Sequence, residues 1–204
     1  MKKRGMIPMT LGLLLIAAAL GLVLYNQWDA NRAGRASEQV LEVLAEVIEE
    51  RSAEYRQDGK EPEEQIRKDQ NDMVTVEIDG NEYLGVIEIP SLDLSLPVMK
   101  DWSYSKLTIA PCRYSGSYYT DDLVLCAHNY RTKHFYPIRW VDIGADVYFT
   151  TVNGTVYHYV VSNREMLRPT AVEEMITPGD WDLTLFTCNS DGLLRCTVRC
   201  ERVD

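Results

Sequence analysis

The feature that most restricts the fold is a change of hydrophobic period at Met73. From there to the end of the 204-residue chain, apolar residues come in short runs that alternate with polar ones, each run closed by turn residues. Residues 74–78 alternate and meet Asp79-Gly80-Asn81; residues 83–89 alternate up to Pro90, and Leu92, Leu94 and Leu96 carry the pattern on to Pro97-Val98. Period-two alternation marks strands with one buried face. Residues 123–128 (LVLCAH) are apolar on both faces, which predicts a central strand ending on an imidazole. Asn153-Gly154, between Val147-Tyr148-Phe149 and residues 156–161, predicts a type I′ hairpin. Residues 166–180, with Pro169 and Pro178, form the connection to a last pair of strands. Many short strands with tight turns predict a mainly β domain over residues 73–204, closed or nearly closed into a barrel.

The last pair, residues 182–203, reads DLTLFTCNSDGLLRCTVRCERV. Leu183, Leu185 and Thr187 share one face of its first strand, and Thr184, Phe186 and Cys188 the other. In the second strand Leu194, Cys196, Val198 and Cys200 fall together, opposite Arg195, Thr197, Arg199 and Glu201. Cys188 ends one strand where Arg195 opens the next, so a thiol and a cation lie at the same end of the pair. Thr184-Leu185-Phe186-Thr187-Cys188 resembles the TLxTC signature of the sortases, the cysteine transpeptidases of Gram-positive cell surfaces. Arg195 and the run RCTVRCERV look like that family's arginine and final strand. About a hundred residues earlier, YLGVIEIPSLDLSLPV resembles its opening strands, and His128-Asn129 resembles its catalytic histidine with the asparagine that often follows in class B members.

The resemblance implies a sortase-type barrel and a site of Cys188, His128 and Arg195, with Thr187 and Asn129 facing substrate. It looks most like class B, by the helix ahead of the barrel and the lack of a second apolar segment after it. Two features depart from the family patterns: residues 169–180 are short for a helical insertion, and Asp101-Trp102, which is similar to an acid–tryptophan lid, lies inside the barrel sequence. The chemistry needs these residue types. A thiol with an ordinary pKa near 8.5 requires a base or a positive field; His128 can take its proton and later return one to a leaving amine. Arg195 does not titrate, so its role is electrostatic, on substrate carbonyls or a developing oxyanion. The implied reaction cleaves a Leu-Pro-x-Thr-Gly-like sorting signal after its threonine through a thioacyl enzyme. An amine of a cell-wall precursor or a pilin then resolves it. The resemblance implies no cofactor and no metal. His134 and His158 read as structural or solvent-facing, Cys126 as a core thiol, and Arg199 as a surface pair or groove-edge contact.

Upstream, residues 6–25 carry no charge and as a helix span roughly 30 Å, the thickness of a bilayer core. With Lys2, Lys3 and Arg4 before them, they predict a signal anchor with residues 1–5 cytoplasmic and the rest of the chain outside. A second, amphipathic helix is expected over residues 37–56, capped by Ser37, with Val40, Leu41, Leu44, Val47 and Ile48 on the face it packs against the domain. A charged linker is expected over residues 57–72. The net charge of −10 and the lack of a basic face exclude nucleic acid as a partner. Five cysteines leave at least one unpaired. Cys112, Cys126, Cys196 and Cys200 allow two bridges, although Cys196 and Cys200 alternate as buried core residues do. Two rivals remain: a thiol peptidase using water as acceptor, and an anchored β-barrel surface protein without activity.

Overall fold

In the computed structural model, which describes residues 6–58, 73–130, 133–177 and 179–203, the alternating runs pair into one sheet. Its strands are β1 (Val76–Ile78), β2 (Asn81–Ile89), β3 (Leu94–Met99), β4 (Cys112–Ser115), β5 (Leu123–Cys126), β6 (Asp146–Thr151), β7 (Val156–Leu167), β8 (Leu183–Cys188) and β9 (Arg195–Arg202). The order is β1-β2-β3-β4-β5-β8-β9-β7-β6, and β6 pairs back onto β2. Strands β2 to β9 thus close an eight-stranded barrel, with β1 folded onto β2 outside the ring. Closure brings β2 and β6 very near at Gly85, where an added Cβ would lie 2.0 Å from the Thr150 carbonyl oxygen; only glycine fits there.

The turns follow the local sequence signals at some positions and depart from them at others. Asp79 and Gly80 both have positive φ and join the paired residues Ile78 and Asn81, so the type I′ geometry lies here. At Asn153-Gly154 the expected type I′ turn is absent: only Gly154 has positive φ, its N–H bonds the Thr151 carbonyl, and the loop is longer by two residues. The reason is tertiary, since the Val152 N–H bonds the Leu84 carbonyl across the barrel seam. The run through Leu92, Leu94 and Leu96 is broken as well. Pro90 opens a short 3-10 turn, Asp93 adopts φ 49°, and β3 returns antiparallel on β2.

The predicted faces hold. Leu183, Leu185, Val198 and Cys200 point into the barrel core with Leu84, Ile87 and Phe149. Phe186 points outward into a second apolar layer. All five cysteines are free thiols, and all but Cys188 are buried.

In place of two helices the protein has one, α1 (Met6–Asp58). Residues 26–36 contain no proline, and Gly34, a cost of about 1 kcal/mol, does not end the helix between the two apolar patterns. Ser37 is therefore not a cap but a mid-helix residue, 2% exposed. Val40 and Leu44 bury against Tyr83, Val86, Met99 and Leu107 on the outside of the barrel. The apolar residues of the first half, Leu11 to Leu24, stay largely exposed, and α1 is the one helix among the described residues long and apolar enough to cross a membrane. The expected tail, residues 1–5, lies outside the described residues. So does most of the expected linker, of which 57–58 complete α1.

Candidate active site

The site is built by three strand ends. Strands β5 and β8 run parallel with Cys126 opposite Phe186, and the Ala127 N–H bonds the Phe186 carbonyl just beyond. Continuing that register sets Ala127 beside Thr187 and His128 beside Cys188. Strands β8 and β9 are antiparallel, with Cys188 opposite Arg195. Directly opposed residues project to the same face, here the outer face of the barrel. His128, Cys188 and Arg195 line one groove of about 230 Å³.

Two hydrogen bonds bracket the Cys188–His128 pair. Thr187 Oγ1 donates to the Ala127 carbonyl at 2.8 Å, one residue before each. Asn129 Nδ2 donates to the Asn189 carbonyl at 2.8 Å, one residue after each. The structure thus engages the hydroxyl of the buried Thr187 and the amide of Asn129 in joining the two strand ends. Thr187→Val removes the first bond while keeping shape and leaves a carbonyl without its partner, so it is expected to cost about 1–2 kcal/mol of stability in a denaturant melt and to lower kcat more than it raises KM.

Burial sets the protonation states. It lowers the pKa of His128, with the Asp29 carboxylate partly opposing it, so the imidazole is mainly neutral at pH 7. Burial pushes the thiol of Cys112 up to about 12 and raises those of Cys126, Cys196 and Cys200. Those four remain protonated and unreactive. The partly exposed Cys188 is the accessible thiol. Arg195 holds Gly192 and Leu194 carbonyls through Nη1 alone; among the described residues its other donors have no protein partner and are available to a ligand.

The other histidines are placed as the sequence suggested. His158 pairs with Asp146 at 2.8 Å and stacks on Tyr148, and His134 is buried, its pKa lowered by that burial to about 4. Arg199 corrects the sequence reading. It is 1% exposed, donating to Glu165 Oε1, Thr184 Oγ1 and the carbonyls of Glu174 and Met175, with Trp181 under its guanidinium. Glu174 and Met175 belong to α2 (Val172–Ile176), the short helix of the connection into β8, which covers this face of β9. Missed altogether was the aromatic wall of the groove. Trp102, Tyr104, Tyr114 and Phe186 form a chain of ring contacts with centroids 5.2–5.8 Å apart. In the sequence Phe186 stands out only as an outer-face residue of the TLxTC run and Trp102 only within the lid-like Asp101-Trp102; Asp101 instead pairs with Arg113.

A thiol, an imidazole and a guanidinium gathered in one groove of a closed barrel are the parts of a thiol acyl-transfer enzyme. The sortase domain model matches residues 87–203, more than half of the chain, and the chain belongs to the sortase family of cysteine transpeptidases. No curated protein sequence matches it. Among solved structures it is similar to sortase A from Corynebacterium diphtheriae, at 22% identity and TM-score 0.55 over 61% of this chain and 62% of that one. Similar too are sortase C1 from Streptococcus suis, at 26% identity and TM-score 0.51 over 60% and 73%, and sortase C from Clostridium perfringens SM101, at 22% identity and TM-score 0.52 over 81% and 90%. The chain thus spans less than two thirds of the Corynebacterium protein.

Proposed function

We propose that this protein is a membrane-anchored transpeptidase in which Cys188 is the nucleophile, His128 the proton carrier and Arg195 the electrostatic clamp. The observation that carries the proposal is the register that sets Cys188 opposite Arg195 and one strand from His128. Neutral His128 takes the Cys188 proton, and the sulfur attacks the peptide carbonyl after the threonine of a Leu-Pro-x-Thr-Gly-like signal. The free donors of Arg195 face the oxyanion. His128 then protonates the departing amine, the C–N bond breaks, and a thioester to Cys188 remains. An incoming amine, from a cell-wall precursor or a pilin lysine, gives its proton to His128 as it attacks the thioester, and the thiol is released. The aromatic wall suits the apolar residues of the signal, and Thr187 and Asn129 serve by holding the two strand ends in register.

The exposed apolar half of α1 supports a signal anchor over residues 6–25, with residues 1–5 cytoplasmic, residues 26–72 as the link and the barrel of residues 73–204 outside. Class B is supported by Asn129 after His128 and by the helix ahead of the barrel; the five-residue α2 is short for the insertion expected there. The test is product analysis with the detergent-solubilised full chain, a panel of sorting-signal peptides and an added amine. A thioacyl adduct resolved to the amide product is expected. Hydrolysis alone, unchanged by the amine, identifies a thiol peptidase instead.

A further inference from the structure

The segment that carries His128 is held from outside the barrel by a single stripe of α1. Asp29, Ala33 and Ser37 are spaced four apart and so share one helix face, the face continued by Val40, Leu41, Leu44 and Ile48 against the barrel. Ala30 and Ala33 are buried, at 3% and 1% exposure. Besides the Asp29–Arg32 pair within the helix and a bond from Ser37 to Ile109, the polar side chains of this stripe face Tyr130, Lys133 and His134. Burial, and after it the Asp29 carboxylate, push the Tyr130 phenol up to about 12, and the Tyr130 ring lies 5.0 Å from that of His128 and 5.4 Å from that of His134. Ser37 Oγ donates to the Ile109 carbonyl and lies 3.3 Å from His134 Nε2. With its proton directed at Ile109, Ser37 can only accept from the imidazole, which makes His134 the Nε2–H tautomer. Glu38 pairs with Lys133 at 3.2 Å, and Gly34 leaves room for the Lys133 methylenes, the nearest being 2.7 Å from where a Cβ would sit.

We infer that α1 is a positioning element for the reaction: Asp29, Ser37 and Glu38 clamp the segment that bears His128, so the imidazole is seated by the same helix that carries the apolar span. The inference rests on the assignment of His128 as the proton carrier. Ala127–Thr187 and Asn129–Asn189 fix the backbone at His128, but neither touches the ring. The ring of Tyr130 packs beside that of His128, and the Asp29 carboxylate acts on both groups. A tenth of a nanometre of misplacement at a proton donor is enough to cost orders of magnitude in rate. The charged and titratable groups around His128 and Tyr130 are Asp29 and Arg32 on α1, His134 in their own segment, Cys126 on β5, Cys188 on β8, Arg195 on β9, Arg168 after β7, and Tyr104 and Tyr114 in the groove.

The test uses the full chain in detergent with Asp29→Asn, Asp29→Glu and Ser37→Ala, reading kcat and KM, the acid limb of kcat/KM against pH, and the alkylation rate of Cys188. Asp29→Asn removes the carboxylate that raises the His128 pKa, so burial acts alone and the acid limb moves to lower pH. We expect it to lower kcat about tenfold with KM little changed, Asp29→Glu to restore both kcat and the limb, and Ser37→Ala to lower kcat without moving the limb. An unmoved limb in Asp29→Asn, whether activity falls or not, overturns the positioning role. Failure of the underlying assignment shows separately: Cys188→Ala would then still form the peptide adduct, or His128→Ala would retain wild-type turnover.

Discussion

Cys188→Ala forms no thioacyl adduct with any sorting-signal peptide and loses at least about 10⁴-fold in turnover, the scale seen when the nucleophile of a covalent mechanism is removed. The measurement is the intact mass of the full chain after incubation with peptide, beside Cys126→Ala. That control matters because Cys126 lines the same groove and is the nearest rival thiol by sequence. Burial raises its pKa and leaves it 4% exposed, so Cys126→Ala still forms the adduct. An adduct that persists in Cys188→Ala and vanishes in Cys126→Ala would exchange their roles. In iodoacetamide titration of the folded protein one thiol reacts quickly and four slowly; two fast thiols would contradict the burial pattern.

The second large effect is on stability. Arg199→Leu removes a guanidinium whose Nε, Nη1 and Nη2 all donate to protein groups, and leaves the Glu174 and Met175 carbonyls and the Thr184 hydroxyl without it. Breaking such a buried charged network costs about 3 kcal/mol or more, read as a fall in the denaturant midpoint at constant m-value. Arg199→Lys recovers little, because an ammonium cannot reach both Glu165 on β7 and the α2 carbonyls from one position. A loss under about 1 kcal/mol would show that the network is replaceable by packing. Because Met175 and Val172 also line the groove, the variant should raise KM for the peptide well below its unfolding transition.

Strand faces and the three chemical groups were legible because both depend on local pattern. Alternation over residues 183–188 and 195–200 separates core from outer face, and the TLxTC resemblance marks which outer residue is the thiol. Alternation does not say what lies over the outer face. The polar face of β9 holds Arg195 and Arg199, one in an open groove and the other under α2; only the path of residues 168–182 distinguishes them. The same limit applies to Ser37, whose cap-like chemistry is also that of a buried hydroxyl pairing with a distant histidine. Nothing local to Trp102, Tyr104 or Tyr114 indicates that their rings meet Phe186, since these contacts span several strands. The continuous α1 is obscured in the sequence by two hydrophobic patterns in succession with Gly34 between them, although no proline separates them.

The unbroken helix also fixes a height. With the apolar half of α1 in a bilayer, as proposed, Tyr25 and Trp28, whose rings are 6.2 Å apart, fall at the level of the lipid headgroups, where such aromatic residues concentrate. Asp29, the residue facing Tyr130, lies only four positions past Tyr25, a rise of roughly 6 Å along the axis. A flexible tether would let the barrel sample a volume several nanometres deep; a docked helix holds its groove against the interface at a nearly constant elevation. Reach then becomes a selection rule: with the groove at a fixed height, a scissile bond has to be brought to that height, since the enzyme does not travel to it.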